Sequence, residues 1–98
     1  MKIKDLKDKQ GKIDIDLKII WNQSKPKEMF GKQIQTILVA DSESEKGDPT
    51  AYFDLYDDDI TKFKHLNKIR VTNAYAKLVQ NNSGQFRLVN YDKIELIE

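Results

Sequence analysis

Between residues 13 and 19, Ile13, Ile15, Leu17 and Ile19 alternate without a break with Asp14, Asp16 and Lys18. Strand side chains point to opposite faces with period two, so this run presents one apolar and one charged face and is a half-buried strand. Residues 34–40 return to a β-rich apolar stretch after a lysine-rich segment holding Ser24, Pro26 and Gly31, a turn-forming composition. A polar loop over residues 41–49, with Gly47 and Pro49, leads into a third strand from Thr50. Asp58 or Asp59 is placed to cap a short helix in which Ile60, Phe63 and Leu66 recur at helical spacing. A fourth strand begins at Lys68. Asn81, Asn82, Ser83 and Gly84 form a hairpin-turn signal before a fifth strand over residues 85–89, which buries Phe86 and Leu88 and exposes Arg87 and Val89.

Residues 50–79 carry the most detail. From Thr50, Ala51, Phe53 and Leu55 point one way and Tyr52, Asp54 and Tyr56 the other. Burying Phe53 and Leu55 contributes roughly 1.5–3 kcal/mol each and leaves Tyr56 facing out beside Asp54. In the next strand Ile69 and Val71 alternate with Lys68, Arg70 and Thr72, after which Ala74, Ala76 and Leu78 continue the apolar series with its parity shifted by one. A bulge near Asn73 accounts for the shift, because one extra residue re-aims everything after it and Asn tolerates left-handed backbone. Tyr75, Lys77 and Val79 then face outward.

At 98 residues the chain is expected to be one domain, 1–98. It has no cysteine, which excludes disulfides and thiolate metal sites. No apolar run approaches the ~18 residues of a membrane span and no charged-then-apolar leader is evident, so the expectation is a cytoplasmic, nucleoid-associated protein without a membrane partner. The formal net charge is +1, unlike a purely electrostatic DNA binder. The charge is nonetheless segregated: lysines crowd the first third of the chain, whereas residues 41–59 are acidic, with Lys46 as their one base.

Five short strands with a helix between the third and fourth give an all-β chain in the order of the OB-fold, a five-stranded Greek-key barrel that binds oligonucleotides or oligosaccharides on the face of strands two and three. Lys2-Ile3-Lys4-Asp5-Leu6-Lys7, then Val39-Ala40-Asp41, then Tyr56 followed by Asp57, Asp58, Asp59 and Ile60, then Phe63-Lys64 and Asn73-Ala74-Tyr75-Ala76, resemble the archaeal-type single-OB-domain single-stranded DNA-binding proteins, themselves similar to the OB domains of replication protein A. The resemblance runs from about Ile3 to Leu88 and lies in the order and spacing of short blocks. It implies sequence-tolerant binding of single-stranded DNA in replication, recombination or repair, with no cofactor, and base stacking on Tyr56 and Tyr75. Where the family carries a further aromatic, four residues beyond the second, this chain has Val79. Many members also continue into a partner-recruiting tail; this sequence runs to Glu98, which either puts that role in doubt or means that a tail lies beyond it.

The residues support such a surface on their own chemistry. A phenol ring offers every base a π-face, and stacking contributes ~1–3 kcal/mol per base without choosing a sequence. Lys77, Arg87 and Lys32, with Lys25 and Lys27 in the loop between the first two strands, would hold phosphates by releasing counterions. Thr36 on the second strand and Tyr52, which shares the outer parity of Tyr56, complete the candidate site. Ordinary half-exposed strand tyrosines and solvated lysines are the bland alternative. Trp21 continues the parity of Ile19 and is expected to pack in the core or on the barrel rim in preference to stacking on a base. Met29 and Phe30 either fold back on the barrel or clamp nucleic acid, and Tyr91 is similarly open.

An enzyme would have to use Asp54, Asp57, Asp58 and Asp59 as a metal cluster. Acids at a helix start are better explained by capping and by the helix dipole, and His65 has neither a second histidine nor a cysteine to work with. No enzymatic activity and no metal are therefore expected. The alternatives kept open are an OB subunit that packs on a protein partner within a DNA-maintenance or other nucleic-acid-processing assembly, and a binder of single-stranded RNA, since stacking does not distinguish the sugars.

Overall fold

The computed structural model describes residues 1–21, 25–43, 49–79 and 85–97. It is all-β. The strands are β1 (Gln10–Trp21), β2 (Lys27–Met29), β3 (Lys32–Asp41), β4 (Thr50–Tyr56), β5 (Lys68–Leu78), β6 (Phe86–Val89) and β7 (Lys93–Leu96). Hydrogen bonding runs β1-β3-β4-β6-β5, and a further β1–β5 pairing closes the ring. β4 and β6 are parallel; the other pairs are antiparallel. This closed five-stranded barrel is the OB-fold, with β2 and β7 lying outside the ring.

The alternations seen in the sequence fill the interior. Ile13, Ile15, Leu17 and Ile19 of β1, Ile37 and Val39 of β3, Phe53 and Leu55 of β4, Ile69 and Val71 of β5 and Leu88 of β6 are buried in one core. Ile3 and Leu6, from a 3-10 turn at Ile3–Asp5, join it. The Ile3 N–H donates to Asp41 Oδ1 at 2.8 Å. Asp41 is thus the buried last residue of β3, not part of a polar loop. Of that acidic loop, Glu45 and Asp48 lie outside the described residues, as does the turn signal at 81–84.

The bulge at Asn73 is present. Ile13 pairs with Ala74 and Ile15 with Val71, so β5 carries one extra residue between them, and Asn73 sits at φ 57°. Its N–H donates to Asp14 Oδ1 at 2.9 Å and its side-chain amide to Asp92 Oδ2 at 2.7 Å. These bonds hold the kink that turns Tyr75 and Lys77 outward.

Several expectations need correction. The helix between the third and fourth barrel strands is a five-residue 3-10 turn, Asp57–Thr61, whose N-cap is Tyr56 without a side-chain cap bond. Asp58 and Asp59 are therefore not caps. Phe63 is buried, but Leu66 is 59% exposed at φ 68°; the backbone leaves the turn and carries it away from the core. Two strands were not anticipated. β2 pairs with β3 through Phe30 and Gly31, both at positive φ, 53° and 79°, the backbone of a two-residue primed turn. β7 pairs with the first half of β5 and lays Ile94 against the core. Leu78, expected inside, is 40% exposed at the end of β5. Val89, expected outside, is buried because Tyr75 stands directly opposite it. No helix among the described residues is long and apolar enough to cross a membrane.

Candidate nucleic-acid interface

A second bulge determines the outer face. Ile19 pairs with Val39, yet Trp21 pairs with the adjacent Leu38, so β1 carries an extra residue at Ile20 and its parity flips. Leu38 lies between the buried Ile37 and Val39 and points out. Trp21 shares that face and is 44% exposed. Of the core or barrel-rim packing expected from parity with Ile19, this extra residue excludes the core.

From Trp21 the register continues across the sheet. Leu38 pairs with Tyr52, Tyr52 with Arg87, and Arg87 with Lys77. Five side chains in one row thus offer an indole, an aliphatic group, a phenol and two cations on one outward face. Tyr52, a secondary candidate by sequence, holds the central place. Leu38 was not singled out at all.

Thr36 and Asp54 are paired in the neighbouring row. The Thr36 hydroxyl donates to Asp54 Oδ1 at 2.8 Å, and Arg87 Nε lies 3.7 Å from the same oxygen. Lys25, Lys27, Met29 and Ile34 rise beside Thr36, Asp54 and Arg87 to enclose a cleft of about 350 Å³. The β2–β3 hairpin therefore forms one wall of the sheet face. At its tip Phe30 is 98% exposed and stands clear of the barrel instead of folding back on it.

Tyr56 and Tyr75 share this face but not a stacked pair. Tyr56 packs on Tyr91, with ring centroids 5.5 Å apart and planes tilted by 42°. Its backbone N–H donates to Tyr91 Oη at 3.2 Å, and its own hydroxyl accepts from Asn90 N–H at 3.4 Å. Tyr91 Oη in turn donates to Asp59 Oδ2 at 2.7 Å. One side of the Tyr56 ring is thus occupied by the barrel. The cleft beside it, about 390 Å³, is lined by Lys32 and Lys62 but also by Asp57, Asp58 and Asp59, a setting that disfavours phosphate. Tyr75 is half-buried, its Cδ2 lying 3.7 Å from where a Cβ on Gly11 would stand. Val79 follows β5, and its N–H donates to the Gln85 carbonyl at 2.8 Å.

Burial pushes the Tyr91 phenol well above its ordinary value near 10, and the bond to Asp59 adds to the shift. Burial also raises Tyr56. Above about pH 10 the unfolded chain loses these protons while the folded chain keeps them, so stability falls as pH rises there. Tyr91→Phe removes the acceptor of the Tyr56 N–H and is expected to cost ~1–3 kcal/mol. Urea unfolding at about pH 9 and about pH 11 should show a lower midpoint at the higher pH, with a smaller drop in the variant.

No group of three or more His, Cys, Asp or Glu that could hold a metal occurs among the described residues. Two of the three aspartates use their carboxylates within the fold: Asp57 Oδ1 accepts from Gln33 N–H at 3.1 Å, and Asp59 takes Tyr91 and, at 3.2 Å, Lys62 Nζ; Asp58 contributes its backbone carbonyl, which accepts from the Thr61 hydroxyl at 3.4 Å. No family model matches the chain, and no curated protein matches it.

Proposed function

We propose that this OB domain binds single-stranded nucleic acid, DNA first, across the face that runs from the end of β1 over β3, β4, β6 and β5. The observation that carries the reading is the register row Trp21, Leu38, Tyr52, Arg87 and Lys77. Outward-facing rings take base faces by stacking, and Lys77 at the end of the row, with Lys25 and Lys27 at the cleft, takes the backbone. A duplex hides its base faces, so the same row discriminates against it. Sequence resemblance to archaeal-type single-stranded DNA-binding proteins supports a role in replication, recombination or repair as a non-catalytic binder. Tyr56 becomes a rim residue in this reading, and Tyr52 with Trp21 takes the main stacking role.

Fluorescence anisotropy with labelled single-stranded DNA, duplex DNA and single-stranded RNA of matched length tests it. Single-stranded DNA should bind most tightly, with log affinity falling against log salt by about 0.7 per phosphate contacted. A Lys25→Gln/Lys27→Gln variant should lower that slope by about 1.4 if both lysines hold phosphates. Equal binding of duplex and single strand would contradict the proposal.

A second reading, an OB subunit docked on a protein partner, is favoured by the outlying strand β7, where Leu96 is 57% and the following Ile97 38% exposed. Absence of binding to all three nucleic acids, with recovery of a specific complex through wild-type chain but not Leu96→Lys, would select it.

A further inference from the structure

Asp54 is only 8% exposed, yet it forms the floor of the cleft beside the β2–β3 hairpin, together with Thr36 and Arg87. Its Oδ1 is held by the Thr36 hydroxyl at 2.8 Å. Arg87 Nε is 3.7 Å from that oxygen, beyond hydrogen-bond reach, and is a buried donor without a hydrogen-bond partner. Buried donors left unmade are costly and call for an explanation. The floor sets the Asp54 carboxylate, its Oδ1 taken by Thr36, beside the partly exposed guanidinium of Arg87, whose buried Nε alone is unsatisfied, under a cleft whose wall carries Lys25 and Lys27.

Phosphate does not suit the floor, because the Asp54 carboxylate faces it. A strand entering the cleft keeps its phosphates on the wall lysines and turns a base edge inward. We propose that Thr36, Asp54 and Arg87 read this one base and favour cytosine, giving an otherwise sequence-tolerant interface a base preference at one position. This rests on the single-strand reading above. Cytosine offers its N4 amino group as a donor beside two acceptors, N3 and O2. Asp54 accepts from the amine, and the planar guanidinium of Arg87 donates to the acceptors. Thymine sets its O4 carbonyl against the carboxylate, oxygen to oxygen. Adenine has one ring acceptor beside its amine and uses half of the fork. Guanine presents two adjacent donors, which ask for both carboxylate oxygens while Oδ1 already holds Thr36.

Anisotropy titrations with single-stranded oligo(dC) and oligo(dT) of about twelve nucleotides, at mildly alkaline pH to keep oligo(dC) unpaired, test the assignment. The wild-type chain should prefer oligo(dC) by about tenfold. Asp54→Asn keeps the shape and the acceptor for Thr36 but presents an amide donor, so the preference should vanish or reverse. Because that variant can also weaken the barrel, a second titration uses the wild-type chain with oligomers of N4,N4-dimethylcytosine, which lack the amino hydrogens; these should bind as weakly as oligo(dT). Equal wild-type affinity for oligo(dC) and oligo(dT), or dimethylated oligomers binding like oligo(dC), overturns the base preference and leaves single-strand binding standing. Binding of none of them overturns both.

Discussion

Replacing Trp21 or Tyr52 by alanine is expected to weaken single-stranded DNA binding by ~1–3 kcal/mol each, with little change in the salt slope. Both rings lie in the outward row that ends in Arg87 and Lys77. Stacking is a contact between neutral faces, so its loss lowers affinity at every salt concentration alike, whereas loss of a lysine changes the slope. Trp21→Phe keeps a ring and should recover most of the loss. Tyr56→Ala is a poorer probe, because the Tyr56 ring also packs on Tyr91 and its removal disturbs the barrel rim. A Tyr56 variant that binds weakly but also melts early would fit the rim role; one that loses binding with full stability would restore it as the main stacking residue. Titrations of the three alanine variants, each paired with a thermal melt, separate these outcomes.

Phe53→Ala is the most damaging single change expected for the fold. Phe53 is fully buried and its ring lies 5.3 Å from that of Tyr91. Truncating such a side chain costs ~3–5 kcal/mol through lost transfer energy and the cavity left behind. Total stability of a small domain is roughly 5–15 kcal/mol, so the variant should sit near the edge of unfolding. The consequence reaches the site through two contacts, Phe53 to Tyr91 and Tyr91 to Tyr56. A urea titration followed by circular dichroism measures the cost, and a loss below about 1.5 kcal/mol would show that the barrel core does not close over this ring as described.

How much of this was legible in the sequence depended on where apolar parity could be followed. The Asn73 bulge was legible because Val71 and Ala74 break an otherwise regular alternation, leaving a visible slip of one residue. The Ile20 bulge obeys the same geometry but was hidden, since Ile19, Ile20 and Trp21 are all apolar and a continuous apolar run has no alternation to slip. The core placement expected for Trp21 failed for that reason, and the outward end of the row stayed hidden. The spacing of Ile60, Phe63 and Leu66 is three throughout, which suits a 3-10 turn as well as an α-helix; Leu66 then leaves the turn altogether. β2 spans three residues, all exposed, and has no face to read. β7 does alternate, at Lys93, Ile94, Glu95 and Leu96, and was readable from that pattern. The outward parity of Tyr52, Asp54 and Tyr56 was correct, but the sequence does not reveal that Asp54 is held by Thr36 near Arg87, or that Tyr56 is engaged by Tyr91. Those depend on which strands become neighbours.

The chain contains a single tryptophan, and it stands at one end of the proposed interface. The most direct measurement is therefore Trp21 fluorescence during titration with single-stranded DNA at low salt, followed by back-titration with salt. Stacking of a base on the indole should quench the emission to saturation, and added salt should restore it. Emission that stays unchanged in intensity and wavelength at DNA concentrations where anisotropy shows the strand fully bound would contradict this interface and place the strand elsewhere on the barrel.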